Sequence, residues 1–131
     1  MSTLTSFPIR FSALVLYEME ALVGDIDANA EMDETQQVLH ACYNAPIAIR
    51  RKGFSNHTYE VRLTVEQAYL FAREVAYYRY HNEECRRECD SYDRQSRADL
   101  TRTINACQRA LDGANKVLVG AGKEPVTSYW A

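Results

Sequence analysis

The feature that most constrains this chain is a run of fifty-nine residues, from Phe54 to Asp112, that contains neither glycine nor proline. Both residues are unfavourable inside helices, glycine because of its backbone entropy and proline because it lacks an N–H and clashes with the preceding turn. The run begins with a strand-like pattern and then predicts helix almost to its end. A chain of 131 residues has room for one domain with a modest core. The way in which this helical segment is accommodated therefore constrains the whole fold.

Composition places the chain among ordinary soluble globular proteins. Hydrophobic residues make up 47% and charged residues 25%, and the formal net charge is −3, so neither disorder nor a strongly basic nucleic-acid binder is indicated. No apolar run is long enough to span a bilayer, and no membrane association is expected. The four cysteines lie in helical segments without a secretory signal, which predicts reduced thiols in a cytoplasmic protein.

The hydrophobic periods predict a mainly α fold, a helical domain with one small β-hairpin in the order α-α-β-β-α-α. The first helix is expected to begin at Ser6-Phe7-Pro8, because proline is tolerated in a first turn. Asp33 with Gln36, and Thr64 with Gln67, have the spacing of capping boxes that open later helices. The predicted single domain, 1–131, comprises two helices with an acidic linker (6–44), the hairpin (47–63), a long helical region (65–118) and a tail (119–131).

The hairpin is predicted from two period-two patterns on either side of Gly53. Ile47 and Ile49 alternate with smaller or charged residues, and Tyr59, Val61 and Leu63 do the same. A lone hairpin is only marginally stable in water, so its apolar face is expected to pack on the helices.

The C-terminal half is predicted to be either one long helix or a helical hairpin, depending on Asp90 to Asp93. Acid-first pairs at four-residue spacing bridge this region, including Asp90–Arg94 and Asp93–Arg97, and favour an unbroken helix. Such a helix, about 70 Å long at about 1.5 Å per residue, would extend beyond a domain of this size and carry an apolar stripe into solvent. The alternative is a turn near Asp93 that buries the stripe within the chain.

The continuous helix predicts self-association, because exposed apolar stripes mark interaction surfaces. The expected partners are a second copy of the chain and a protein target. The residues predicted to form the oligomer interface are Tyr78, Cys85, Cys89, Tyr92, Leu100, Ile104, Cys107 and Leu111.

Two motifs suggest metal ions. Asp25 to Gln36 resembles an EF-hand calcium loop in its alternating oxygen donors, but Ala30 replaces the turn glycine and Gln36 replaces the bidentate glutamate. A solvated acidic linker is the preferred interpretation. His81, Cys85 and Cys89 share one helical face, yet they spread over about 12 Å, which is too wide for one zinc ion. No metal and no cofactor are predicted.

A basic cluster on the hairpin is the candidate for binding an anion or a partner. Clustered bases beside an aromatic side chain can hold phosphates, nucleic acid or an acidic protein segment. The residues concerned are Arg50, Arg51, Lys52, Phe54, His57 and Arg62.

No catalytic motif is recognisable, and the sequence predicts a protein that is not an enzyme. The first functional hypothesis is a self-associating interaction protein that binds a protein target, such as an accessory inhibitor of viral or mobile-element type. The alternative is a binder of an anionic ligand, nucleotide or nucleic acid through the basic hairpin.

Overall fold

The computed structural model describes residues 5–24, 32–53, 56–89 and 93–129, with side chains omitted for 21–24. Within these ranges the protein is mainly helical, with four helices and a three-stranded antiparallel sheet. The elements in chain order are β1 (Phe7–Ser12), α1 (Ala13–Gly24), α2 (Glu34–Tyr43), β2 (Ile47–Ile49), β3 (Thr58–Leu63), α3 (Val65–Glu88) and α4 (Arg94–Gly120).

The sheet formed by the described residues has the strand order β1-β3-β2, so β3 is central and β1 and β2 are its edges. Ile9 lies opposite Val61, and Phe11 lies opposite Tyr59, with all four side chains buried. The predicted hairpin is confirmed by the antiparallel pairing of β2 with β3, which shifts register between Ile47 and Ile49.

The predicted helix start at Ser6-Phe7-Pro8 is wrong, because this segment is strand β1 and the helix begins only at Ala13. Apolar residues recur at every second position of this segment, at Phe7, Ile9 and Phe11. They pair with the apolar residues Leu63, Val61 and Tyr59 of the central strand β3. Pro8 is accepted because an edge strand can dispense with an N–H on its open side. The predicted order α-α-β-β-α-α is thus preceded by an additional strand.

Both predicted capping boxes are confirmed. At α2 the Asp33 carboxylate accepts from the Gln36 N–H at 2.7 Å, and the Gln36 side chain accepts from the Asp33 N–H at 2.9 Å. Thr64 and Gln67 make the same reciprocal pair at the start of α3. Each box satisfies two of the N–H groups that a helix start leaves without partners.

The long helical region is a helical hairpin, so the preferred continuous helix is wrong. Helix α3 ends at Glu88, and Cys89 has an extended backbone with φ −71° and ψ 137°. Asp93, with φ −90° and ψ 73°, is the N-cap of α4 and accepts from the Ser96 N–H at 3.2 Å. The side chain expected to form a pair with Arg97 therefore caps a new helix. The two helices pack against each other, which buries Ile104, Cys107 and Leu111 of the stripe.

The C-terminal tail folds back over the α3–α4 hairpin. Val126 is buried, and the Asn115 side chain both accepts from its N–H and donates to its carbonyl, each at 2.9 Å. Arg79 donates to the carbonyl of Thr127 at 2.9 Å, and the Tyr129 ring lies 5.0 Å from that of Tyr77. The tail is thus attached by main-chain hydrogen bonds as well as by packing.

Candidate anion-binding cleft

A cleft of about 970 Å³ lies between the sheet and one flank of α4. Its volume is in the upper part of the range of small-ligand sites. Five of its described lining side chains are basic and none is acidic. The lining residues are Arg10, Phe11, Ser12, Leu14, Arg51, Lys52, Asn56, Thr58, Arg102, Asn105, Ala106, Arg109, Ala110 and Gly113.

One wall of the cleft is a face of α4. Arg102, Asn105 and Arg109 recur at three- and four-residue steps and therefore project from the same side of the helix. The two arginines lie about 10 Å apart along the axis at about 1.5 Å per residue. Gly113 closes this wall, and a Cβ added there would meet no atom within 4 Å. The wall thus combines two separated charges with open space.

Another part of the lining is the connection between β2 and β3, which is held by its own hydrogen bonds. Gly53 has a φ of +87°, a conformation that favours glycine. Asn56 donates to the Lys52 carbonyl at 2.9 Å, and the Arg51 N–H donates to Nδ1 of His57 at 3.1 Å. His57 is buried, and its carbonyl accepts from the Ala13 N–H. The turn that carries Arg51 and Lys52 is therefore anchored to the sheet.

The charge of the cleft is only partly neutralised. Arg10 forms an ion pair of 3.1 Å with Glu60 on the neighbouring strand, and Arg102 lies 3.9 Å from Asp99. Within the described parts of the chain, no carboxylate lies within 4 Å of the charged groups of Arg51, Lys52 and Arg109. Grouped charges of one sign in a concave surface attract and retain ligands of the opposite sign.

Hydrogen-bonding groups of β1 also line the cleft. The Ser12 Oγ is buried and has no hydrogen-bond partner among the described residues. Residues of an antiparallel pair alternate between those bonded to the partner strand and those whose main-chain groups point away. The bond from the Ala13 N–H to the His57 carbonyl assigns Ile9 and Phe11 to the first set. The N–H and carbonyl of Arg10 and the N–H of Ser12 consequently point to the open edge of the sheet, whereas the Ser12 carbonyl is at the start of α1.

The structure brings only two of the six predicted hairpin residues, Arg51 and Lys52, into the cleft. Arg50 is exposed but does not line it, and Phe54 lies outside the described residues. His57 has a buried position in the turn instead. Arg62 lies on the outer face of the sheet and donates to the carbonyl and hydroxyl oxygens of Ser6, at 2.9 and 3.2 Å.

The sequence interpretation missed Arg10, Arg102 and Arg109. The sequence pattern predicts Arg10 in a helix, and its place on a strand follows only from the pairing of β1 with β3. The three- and four-residue spacing of Arg102, Asn105 and Arg109 is visible in the sequence and indicates a polar helical face. No residue near them in the sequence indicates that this helical face lies beside the hairpin.

The predicted oligomer interface is divided by the fold. Tyr78, Ile104, Cys107 and Leu111 are buried within the chain, because α3 and α4 pack on each other and on the sheet. Cys85, Cys89 and Leu100 are partly exposed near the α3–α4 turn. Tyr92 lies outside the described residues.

The candidate metal motifs form no cluster in the described parts of the chain, where no group of three or more His, Cys, Asp or Glu side chains could hold an ion. Nε2 of His81 lies 3.7 Å from Sγ of Cys85. Asp25 to Glu31 lie outside the described residues. Asp33 and Gln36, the ninth and twelfth positions of the calcium-loop pattern, form the α2 capping box.

A second, smaller groove of about 440 Å³ lies where α2 and α3 begin and α4 ends. Its floor includes Val65, Leu70 and Leu118, and Tyr69 is partly exposed beside it. Three acids and one base, Glu34, Glu66, Glu124 and Lys123, complete its lining, so this groove is apolar with an excess of acidic groups.

A comparison with protein-family models, with curated proteins and with solved structures finds no match to this chain. Among the described residues, no helix is both long and apolar enough to cross a membrane.

Proposed function

We propose that this protein is a non-enzymatic binding protein that holds an anionic ligand or partner segment in the basic cleft. The observation that carries the proposal is the convergence of five basic side chains, from β1, the β2–β3 connection and α4, on one cavity without an acidic lining residue among those described. The alternative derived from the sequence, an anion binder acting through the hairpin, is thereby extended to residues on α4 and β1.

The spacing of the charges indicates a ligand with several anionic groups. Arg102 and Arg109 are two helical turns apart on α4, and Arg51 and Lys52 line the cleft from a different element, the β2–β3 connection. A single phosphate or carboxylate cannot contact all of them. Charge-assisted hydrogen bonds from arginine are geometrically specific as well as strong, which suits a ligand held at several points.

The test is binding of a panel of anions to purified protein at low and moderate salt. ATP, a twelve-residue oligothymidylate and a glutamate-rich peptide, each fluorescently labelled, are titrated and followed by anisotropy. We expect at least one to bind, and the Arg102→Ala/Arg109→Ala double variant to lose affinity at least tenfold. The matched control, Arg94→Ala/Lys116→Ala, removes two charges from α4 outside the cleft and should bind like the wild type. Absence of binding by all three probes, or equal loss in both double variants, would overturn the proposal.

Self-association and binding of a protein target stay predictions. The turn after Glu88 removes the overhanging helix that would expose the apolar stripe, but Cys85, Cys89 and Leu100 are each partly exposed near that turn. Light scattering of the wild type and of a Leu100→Glu variant tests it. A dimer that the substitution dissociates would support an interface there, and a monomeric wild type at high concentration would exclude it.

A further inference from the structure

We infer that the cleft accepts an extended acidic peptide, which adds as a fourth strand to the free edge of β1. The inference rests on the proposed function, because it specifies the class of anionic partner that the same cleft holds. Strand addition uses main-chain hydrogen bonds for affinity and side-chain contacts for specificity. Both kinds of group line this cleft.

The first observation is the edge itself. Among the described residues β1 pairs only with β3, and the N–H and carbonyl of Arg10 and the N–H of Ser12 point away from that strand. No hydrogen bond joins either N–H to another described residue. The hydroxyl of Ser12 is buried at the same place without a partner. An incoming strand would satisfy these groups, each of which has a cost when it is buried without a hydrogen bond.

The second observation is charge complementarity. The cleft beside β1 is lined by Arg102 and Arg109 of α4 and by Arg51 and Lys52 of the β2–β3 connection. Side chains of a strand alternate between two faces. Carboxylates at alternate positions would therefore all lie on one face of the strand, where they can meet the arginines of α4, and the intervening side chains would point to the opposite face.

The third observation separates a peptide from a nucleic-acid strand. Proteins that hold single strands combine basic grooves with aromatic side chains on which bases stack. The one aromatic residue among the described lining residues, Phe11, is 3% exposed and belongs to the core. The basic groups are thus accompanied by main-chain donors and acceptors rather than by stacking surfaces. The observations favour a peptide.

The space for the strand is bounded by Gly113. A Cβ at this position meets nothing within 4 Å, and the same is true of Gly120, which lies on α4 outside the cleft. Leucine at 113 would fill the cleft, whereas leucine at 120 would leave it open. The two substitutions make a matched pair for a steric test.

The experiment titrates the protein with a labelled peptide that alternates glutamate and valine over six residues. Two further peptides carry N-methyl groups on one or the other set of alternate residues, which removes main-chain donors without changing charge. We expect one of the two methylated peptides to lose affinity at least tenfold and the other to bind almost normally. Hydrogen exchange measured by NMR should show at least tenfold slower exchange of the Arg10 and Ser12 amides in the complex. Gly113→Leu should weaken peptide binding at least tenfold, and Gly120→Leu should not.

The result that would overturn the inference is peptide binding insensitive to both methylations, with no protection of the Arg10 and Ser12 amides. Binding of oligothymidylate that is tighter than that of the peptide would overturn it as well. In either case the cleft would still be an anion site if Arg102→Ala/Arg109→Ala abolished binding, so the proposed function would survive. Absence of binding by every anion would overturn both.

Discussion

The Arg97 guanidinium on the first turns of α4 donates to the main-chain carbonyl of Cys89, the residue that follows α3, at 3.3 Å. The same Nη1 lies 3.3 Å from the carbonyl of Arg86. The last carbonyls of a helix have no partner within it, and a positive charge near them is favourable. Arg97 thus satisfies the end of one helix from the start of the next and stabilises the turn between them.

Arg97→Ala should destabilise the protein by about 1–2 kcal/mol, because hydrogen bonds to a charged group are lost at the α3–α4 turn. Urea denaturation of the wild type and the variant measures the difference. Lys116→Ala is the control, since it removes an exposed charge from the same helix and should change stability by less than about 0.5 kcal/mol. Equal effects of the two substitutions would show that Arg97 has no special role in the turn.

Asn115→Ala should loosen the C-terminal tail. It removes both hydrogen bonds to the main chain of Val126 and should cost about 1–2 kcal/mol, with faster tryptic cleavage after the exposed Lys123. Asn115→Asp keeps an acceptor for the Val126 N–H but loses the donor, so its cleavage rate should lie between those of Asn115→Ala and the wild type. Unchanged cleavage in both variants would mean that the tail is held by packing alone.

The four cysteines should differ in reactivity. Burial raises the pKa of the Cys42 thiol to about 12, and burial, with a smaller contribution from Glu18, does the same for Cys107. Cys85 and Cys89 are partly exposed. At pH 8 iodoacetamide should label Cys85 and Cys89 in the native protein and all four in urea, as measured by peptide mass spectrometry. Rapid native labelling of Cys107 would contradict its buried position.

Glu74 should make stability depend on pH. Partial burial raises the pKa of its carboxyl above the ordinary 4.5, and nearby Asp33 adds to the rise, while Tyr78 and Arg73 partly offset it. Between 4.5 and the higher folded-state pKa, the native state binds more protons than the unfolded chain. The contribution of Glu74 to the free energy of unfolding therefore falls as pH rises through that window.

Glu74→Gln should remove this dependence and increase stability at pH 7, because a neutral amide avoids burying a charge. The measurement is urea denaturation at several pH values from 4.5 to 7. Glu88→Gln, at an exposed position of the same helix, is the control, and its free energy of unfolding should change with pH as that of the wild type does. If the free energy of unfolding changed with pH in the same way in the wild type and in Glu74→Gln, the pH dependence could not be attributed to Glu74.

Features that depend on neighbouring residues were predictable from the sequence. The capping boxes of Asp33 with Gln36 and of Thr64 with Gln67 require only groups three residues apart. The hairpin formed by β2 and β3 was predicted because each strand has its own period-two pattern. Strand β1 was missed because Phe11 fits both a period-two pattern with Ile9 and a helical stripe with Val15. The partner strand decides between them.

The break between α3 and α4 is a second feature that local sequence patterns could not decide. Asp93 is suited both to a pair with Arg97 in a continuous helix and to an N-cap, and local free energies of a few tenths of a kcal/mol separate such alternatives only weakly. Packing of α3 on α4 buries Ile104, Cys107 and Leu111, which outweighs pairs of that strength.

The sequence by itself determined the helical character of the long glycine- and proline-free run, the caps at Asp33 and Thr64, and the basic turn at Arg51 and Lys52. Each follows from backbone propensity or from hydrogen bonds within a few residues. Tertiary structure alone decided that the run turns back on itself and that Arg102 and Arg109 line the same cleft as that basic turn. The reason is physical: burial of apolar surface joins segments about fifty residues apart, and their charged faces become neighbours as a consequence of that packing.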